Sequence, residues 1–158
     1  MKKKMNLKLA TKLIAVALMG LAGTPAFGQH EGHDHEEAAA GPNGGRLVRS
    51  VEPHFEFLVT EDRHVRITFL DDALKPKAPE GEVVTVTGGD RSNPTRLGFE
   101  VADGVLLSDG PLPEGNDFPI VVQVKADGNA KTQFERFTLN SNKCPTCEHA
   151  EYACICEH

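Results

Sequence analysis

All four cysteines of this chain lie in its last fifteen residues, CPTCEHAEYACICEH, and none precedes them. Cys144-x-x-Cys147 is followed by six residues and then by Cys154-x-Cys156, with His149 and His158 among them. Three chemistries suit this pattern. Four thiolates, or three with an imidazole from His149 or His158, can close a tetrahedral shell around zinc, and soft sulfur suits copper equally. In an oxidising compartment the same four thiols can pair as two structural disulfides, in any of three connectivities. Cys-Pro-Thr-Cys also has the spacing of a thiol oxidoreductase site. That chemistry needs a helix N-terminus on a βαβ scaffold to lower the first thiol's pKa, and no such scaffold is visible.

A second group of ligand-type residues sits near the other end. His30, His33 and His35 alternate with Glu31, Asp34, Glu36 and Glu37 in QHEGHDHEEAAAGP, residues 29–42. Imidazole suits zinc and copper, and the carboxylates keep the local field negative. The segment has no apolar periodicity, so it is expected to be a disordered leader. The bland reading of this segment is a solvated polar leader.

The compartment bears on the thiols. MKKKMNLKLATK, then LIAVALMGLAG, then TPAFGQ reads as a basic region, a short apolar run and a small-residue cleavage pattern. We expect a signal peptide over residues 1–28, and a periplasmic or secreted product with no stable membrane insertion. The apolar run is too short for roughly 30 Å of hydrocarbon. Five of the 17 basic residues and none of the 23 acidic ones lie in residues 1–28, leaving 12 basic against 23 acidic groups, a charge of −11. So acidic a product is not a nucleic-acid binder and would attract cations.

Something must position these ends. Between residues 43 and 140, eight segments alternate on a period of two and are rich in β-branched and aromatic residues: 46–51, 54–60, 64–70, 82–87, 95–102, 104–109, 119–126 and 132–139. Turn-forming stretches such as TEDR, TGGDRSNP and ADGNA separate them. The expected fold is all-β, an antiparallel immunoglobulin-like β-sandwich, followed by a Cys-rich tail over 141–158. About 100 residues can bury a core without cross-links, so the thiols are expected on an appendage.

One hairpin fixes its own register. With Glu61, Asp62 and Arg63 in the loop, Thr60 faces His64, Phe57 faces Ile67 and Phe55 faces Phe69, and every apolar residue meets another. His54, Glu56, His64, Arg66 and Thr68 then share the opposite face. His54 and His64 stand about 20 Å apart on it, too far to share an ion. The odd spacing of Phe134 and Phe137 predicts a β-bulge turning both rings inward; the alternative exposes one of them at an edge.

The stretch GPNGGRL, 41–47, resembles the start of the small β-domain at the N-terminus of adaptor subunits of resistance-nodulation-division heavy-metal pumps. There, a His-rich leader runs into a Gly-Gly-Arg-Leu-like turn. The matching residues are His30, His33, His35, Gly44, Gly45, Arg46 and Leu47, then FEFLVTED at 55–62. The resemblance implies a free-standing periplasmic relative that handles transition metals.

No serine, acid pair or glycine-rich turn carries a recognisable catalytic or phosphate-binding pattern, so we expect no enzyme. The expectation is a protein that binds zinc or copper at its ends and buffers or hands over the ion, with a metal efflux adaptor or another periplasmic protein as partner. The rival is an interaction module whose tail cysteines form structural disulfides.

Overall fold

β-Branched residues alternating with polar ones give a chain of short strands. The computed structural model describes residues 40–156, which belong to one compact unit. The readings made for residues 1–39, including the signal peptide and His30, His33 and His35, and for His158 lie outside the described residues.

Ten strands follow one another: β1 (Arg46–Val48), β2 (Phe55–Val59), β3 (His64–Leu70), β4 (Pro76–Lys77), β5 (Val83–Gly88), β6 (Thr95–Leu97), β7 (Phe99–Ala102), β8 (Val105–Pro111), β9 (Phe118–Lys125) and β10 (Gln133–Leu139). One sheet has the order β1-β2-β3-β8-β7, with β4 paired to β3, and the other has the order β10-β9-β5-β6. All strand pairs are antiparallel. Among the described residues no helix is long and apolar enough to cross a membrane.

The inner faces of both sheets meet in one core. Phe55, Phe57, Val65, Ile67 and Phe69 come from the first sheet, and Val84, Val86, Ile120, Val122, Val124 and Leu139 from the second. Each such side chain contributes roughly 1.5–3 kcal/mol of hydrophobic burial. The expected hairpin register is present: Phe55 pairs with Phe69 and Phe57 with Ile67, and the Thr60 N–H donates to the His64 carbonyl at 2.9 Å.

Two sequence expectations are corrected. The single strand expected over 95–102 is two strands, because the chain changes sheets at Gly98. There the Gly98 N–H donates to Asp109 Oδ1 at 3.0 Å, and a Cβ on Gly98 would stand 2.7 Å from Asp109 Oδ2. The bulge expected in the last strand is absent. β10 pairs with β9 without a register shift from Gln133 to Leu139, so Phe137 turns inward and Phe134 outward. β10 is an edge strand, and Phe134 stays 46% exposed, with the Arg136 guanidinium 5.0 Å from its ring centroid.

The outer face of the β2–β3 hairpin is not simply solvated. Glu56 is fully buried under the turn Gly41–Gly45. Its Oε1 accepts from the backbone N–H groups of Asn43 (2.7 Å) and Gly45 (2.8 Å), and its Oε2 from Asn43 Nδ2 (2.6 Å). The glycines of GPNGGRL follow from this contact. A Cβ at Gly41 would lie 2.4 Å from Glu56 Cγ, and one at Gly45 2.5 Å from the Phe57 carbonyl oxygen.

Candidate metal centre

The tail folds back as a narrow hairpin that continues from β10. Its backbone N–H groups at Tyr152 and Glu151 donate to the carbonyls of Asn140 (2.9 Å) and Asn142 (2.8 Å), and the Cys144 N–H donates to the His149 carbonyl at 2.8 Å. Cys144-Pro-Thr-Cys147 forms the tip. Its reversal is completed by Glu148, a non-glycine residue at φ 66°. A 3₁₀ turn, Glu151–Ala153, then leads to Cys154 and Cys156.

This hairpin is docked rather than appended. Tyr152 and Ala153 are buried in the main core and Cys144 is 1% exposed. The Tyr152 ring meets Phe57 edge-on at 6.1 Å and stacks with Phe137 at 6.4 Å between centroids. Its hydroxyl accepts from the Val59 N–H at 3.0 Å, and Arg46 Nη1 donates to its carbonyl at 3.4 Å. Burial raises the Tyr152 pKa, the Val59 N–H working against that rise and the Glu56 carboxylate with it. The sequence signal for this docking is the chain's one tyrosine, set in a polar segment.

The result is a cluster of four sulfurs. The Sγ atoms of Cys144, Cys147, Cys154 and Cys156 all lie within 4.8 Å of one another. Cys144 to Cys154 is 3.5 Å and Cys147 to Cys154 is 3.6 Å. A disulfide would need roughly 2.05 Å. A tetrahedron of sulfurs around an ion at a bond length of about 2.3 Å has edges of about 3.8 Å. The spacing is compatible with a ligand set, and no disulfide joins any two of the four cysteines.

Backbone dipoles are aimed at the sulfurs. The N–H groups of Cys147 and Thr146 favour the thiolate of Cys144 and lower its pKa. Those of Ile155 and His149 do the same for Cys147, which is pulled down to about 6 against the opposing effect of burial. Cys154 accepts from the Cys156 N–H at 3.3 Å, but burial and the nearby Cys144 and Cys147 outweigh this and raise its pKa. Burial first, then the three other thiols, pushes Cys156 up to about 12. The four thiols interact, so their protons leave in shared steps, the N–H groups around Cys147 favouring the first thiolate there. A cation could take up the remaining thiolates by displacing their protons.

His149 does not join the sulfurs. The cluster consists of the four cysteines alone, and the His149 ring lies by Gly44, its Nδ1 being 3.6 Å from where a Cβ on that glycine would sit. His54 lies 3.4 Å from Glu52 and His64 3.2 Å from Asp62, and neither belongs to a ligand group among the described residues. Nor does Cys144-Pro-Thr-Cys147 cap a helix: it is the tip of a hairpin. No family model, curated protein or solved structure matches the chain.

Proposed function

We propose that this is an exported metal-binding protein that holds one zinc ion on Cys144, Cys147, Cys154 and Cys156, on a sandwich of immunoglobulin-like type. The observation that carries the reading is the sulfur spacing, which is too long for disulfides and close to a tetrahedral edge. Four protein sulfurs in such a set favour zinc over copper, since tetrahedral thiolate sites are characteristic of zinc or iron. Cys144 is the buried anchor, whereas Cys147, Cys154 and Cys156 are half-buried. An incoming thiol can therefore approach from that side, as buffering or hand-over requires. Delivery to an efflux adaptor rests on the resemblance of GPNGGRL and FEFLVTED, and export on the basic-apolar N-terminus.

Cobalt(II) titration of the reduced, metal-free chain tests the centre. The reading predicts intense thiolate-to-cobalt absorption and tetrahedral ligand-field bands that saturate at one equivalent and are abolished by zinc. Weak octahedral bands alone would refute it.

A further inference from the structure

The four sulfurs are not held alike. Cys144 and Cys147 belong to a turn closed by its own backbone. The Cys144 N–H donates to the His149 carbonyl at 2.8 Å, and the Glu148 N–H donates to the Cys144 carbonyl at 3.2 Å. Cys154 directly follows Ala153, which is buried in the core, and its N–H donates to the Glu151 carbonyl at 3.2 Å. Beyond Cys154 the described backbone turns to sulfur. The Ile155 N–H is aimed at the Cys147 sulfur, and the Cys156 N–H donates to Cys154 Sγ at 3.3 Å. Ile155 itself is 39% exposed between the two cysteines.

Backbone N–H groups thus reach three of the sulfurs. Cys144 accepts from Cys147 and Thr146, Cys147 from Ile155 and His149, and Cys154 from Cys156. What acts on the Cys156 sulfur is burial and the three other thiols. A hydrogen bond to a thiolate fixes the sulfur and draws charge from it. Cys156 gives its N–H to a neighbour's sulfur, and a bound ion would be the main tie on its own.

We propose that Cys156 is the exchangeable ligand: Cys144, Cys147 and Cys154 keep the zinc while a cysteine of an acceptor displaces Cys156 to begin hand-over. This rests on the metal centre proposed above and names the ligand at which it opens. In the step, the acceptor's sulfur forms a zinc–sulfur bond as the zinc–Cys156 bond breaks. The proton that the acceptor's thiol gives up goes to the Cys156 sulfur, so the charge around the ion is unchanged and nothing is oxidised. Zinc keeps its four ligands through such a one-for-one exchange.

Two measurements on the full chain test this. The first treats the zinc-loaded, unaltered chain with a limiting amount of iodoacetamide and maps the labelled cysteine by fragmentation. With zinc bound all four sulfurs are thiolates, so intrinsic nucleophilicity sets the order, and it falls as N–H groups stabilise the anion. The expected result is that Cys156 is labelled first with zinc bound, whereas Cys147 is labelled first without it. The second measures zinc affinity by chelator competition in Cys144→Ser, Cys147→Ser and Cys156→Ser. A hydrogen bond to a charged group is worth about tenfold or more in an equilibrium, so Cys156→Ser should retain zinc about tenfold or more tighter than either other variant. Cys147 labelled first with zinc bound, or equal losses in all three variants, would overturn the proposal. Cobalt(II) absorption of the unaltered chain is read alongside. Its failure to show tetrahedral bands would refute the metal centre itself, which keeps the two failures apart.

Discussion

The Tyr152 hydroxyl accepts the Val59 backbone N–H at 3.0 Å, which ties the thiol-bearing hairpin to β2. Val59 is near the end of β2, and Tyr152 is two residues before Cys154. The last described segment of the chain is thus part of the core packing, and the position of two candidate ligands depends on an aromatic contact with the sheet.

Tyr152→Phe keeps the ring and leaves the Val59 N–H without its acceptor. We expect a loss of about 1 kcal/mol in denaturant unfolding. Tyr152→Ala removes a ring that contacts both Phe57 and Phe137 and should cost about 3–5 kcal/mol. It should also loosen Cys154 and Cys156, so that zinc affinity falls with stability, measured by competition with a chromophoric chelator.

Glu56→Ala strips the acceptors from the N–H groups of exposed Asn43 and buried Gly45. The Gly45 N–H left unsatisfied costs about 1–3 kcal/mol, so a loss of at least about 1 kcal/mol is expected. Gly45→Ala forces a Cβ to within 2.5 Å of the Phe57 carbonyl and should be comparably damaging. Thermal unfolding of both variants checks this.

Much of this architecture was legible beforehand. Register could be read where one face is apolar and a shift by one residue ruins it, as at Phe55, Phe57, Ile67 and Phe69. It could not be read for Phe134 and Phe137, because an edge strand tolerates an exposed ring that local spacing alone cannot distinguish from a bulge. Glu56 looked like an ordinary outward residue, since the turn that covers it holds it through groups 11 and 13 residues earlier in the chain. Cysteine spacing disclosed the candidate ligands but not their docking, which depends on Tyr152 meeting side chains roughly 15 and 95 residues away. Phe134→Ser should accordingly change stability by less than about 0.5 kcal/mol, whereas Phe137→Ala should be clearly destabilising.

The reduced, metal-free chain should show a two-sided pH dependence. Cys147 is lowered from 9.0 to about 6, so its contribution is present above the unfolded value and is lost as pH falls through about 6. Cys156 is raised from 9.0 to about 12, so its contribution is present below the unfolded value and is lost as pH rises from about 9 towards 12. Denaturation midpoints should therefore be higher near pH 9 than near pH 5, and fall again above it. Iodoacetamide labelling with peptide mapping should find Cys147 modified first near neutral pH.

Glu148 closes the Cys144–Cys147 turn at φ 66°, where a side chain is strained by roughly 1–2 kcal/mol. Glu148→Gly should relieve part of that and raise the unfolding midpoint, with metal stoichiometry unchanged. A lower midpoint would mean that the Glu148 contact with Lys143, 3.3 Å away, outweighs the strain.

The most direct test of the metal centre is a joint count of metal and thiol on the full chain expressed with its own N-terminus and purified without chelator or reductant. The account predicts one equivalent of zinc and four thiols that react only after the ion is removed. Two disulfides with no bound metal would contradict it.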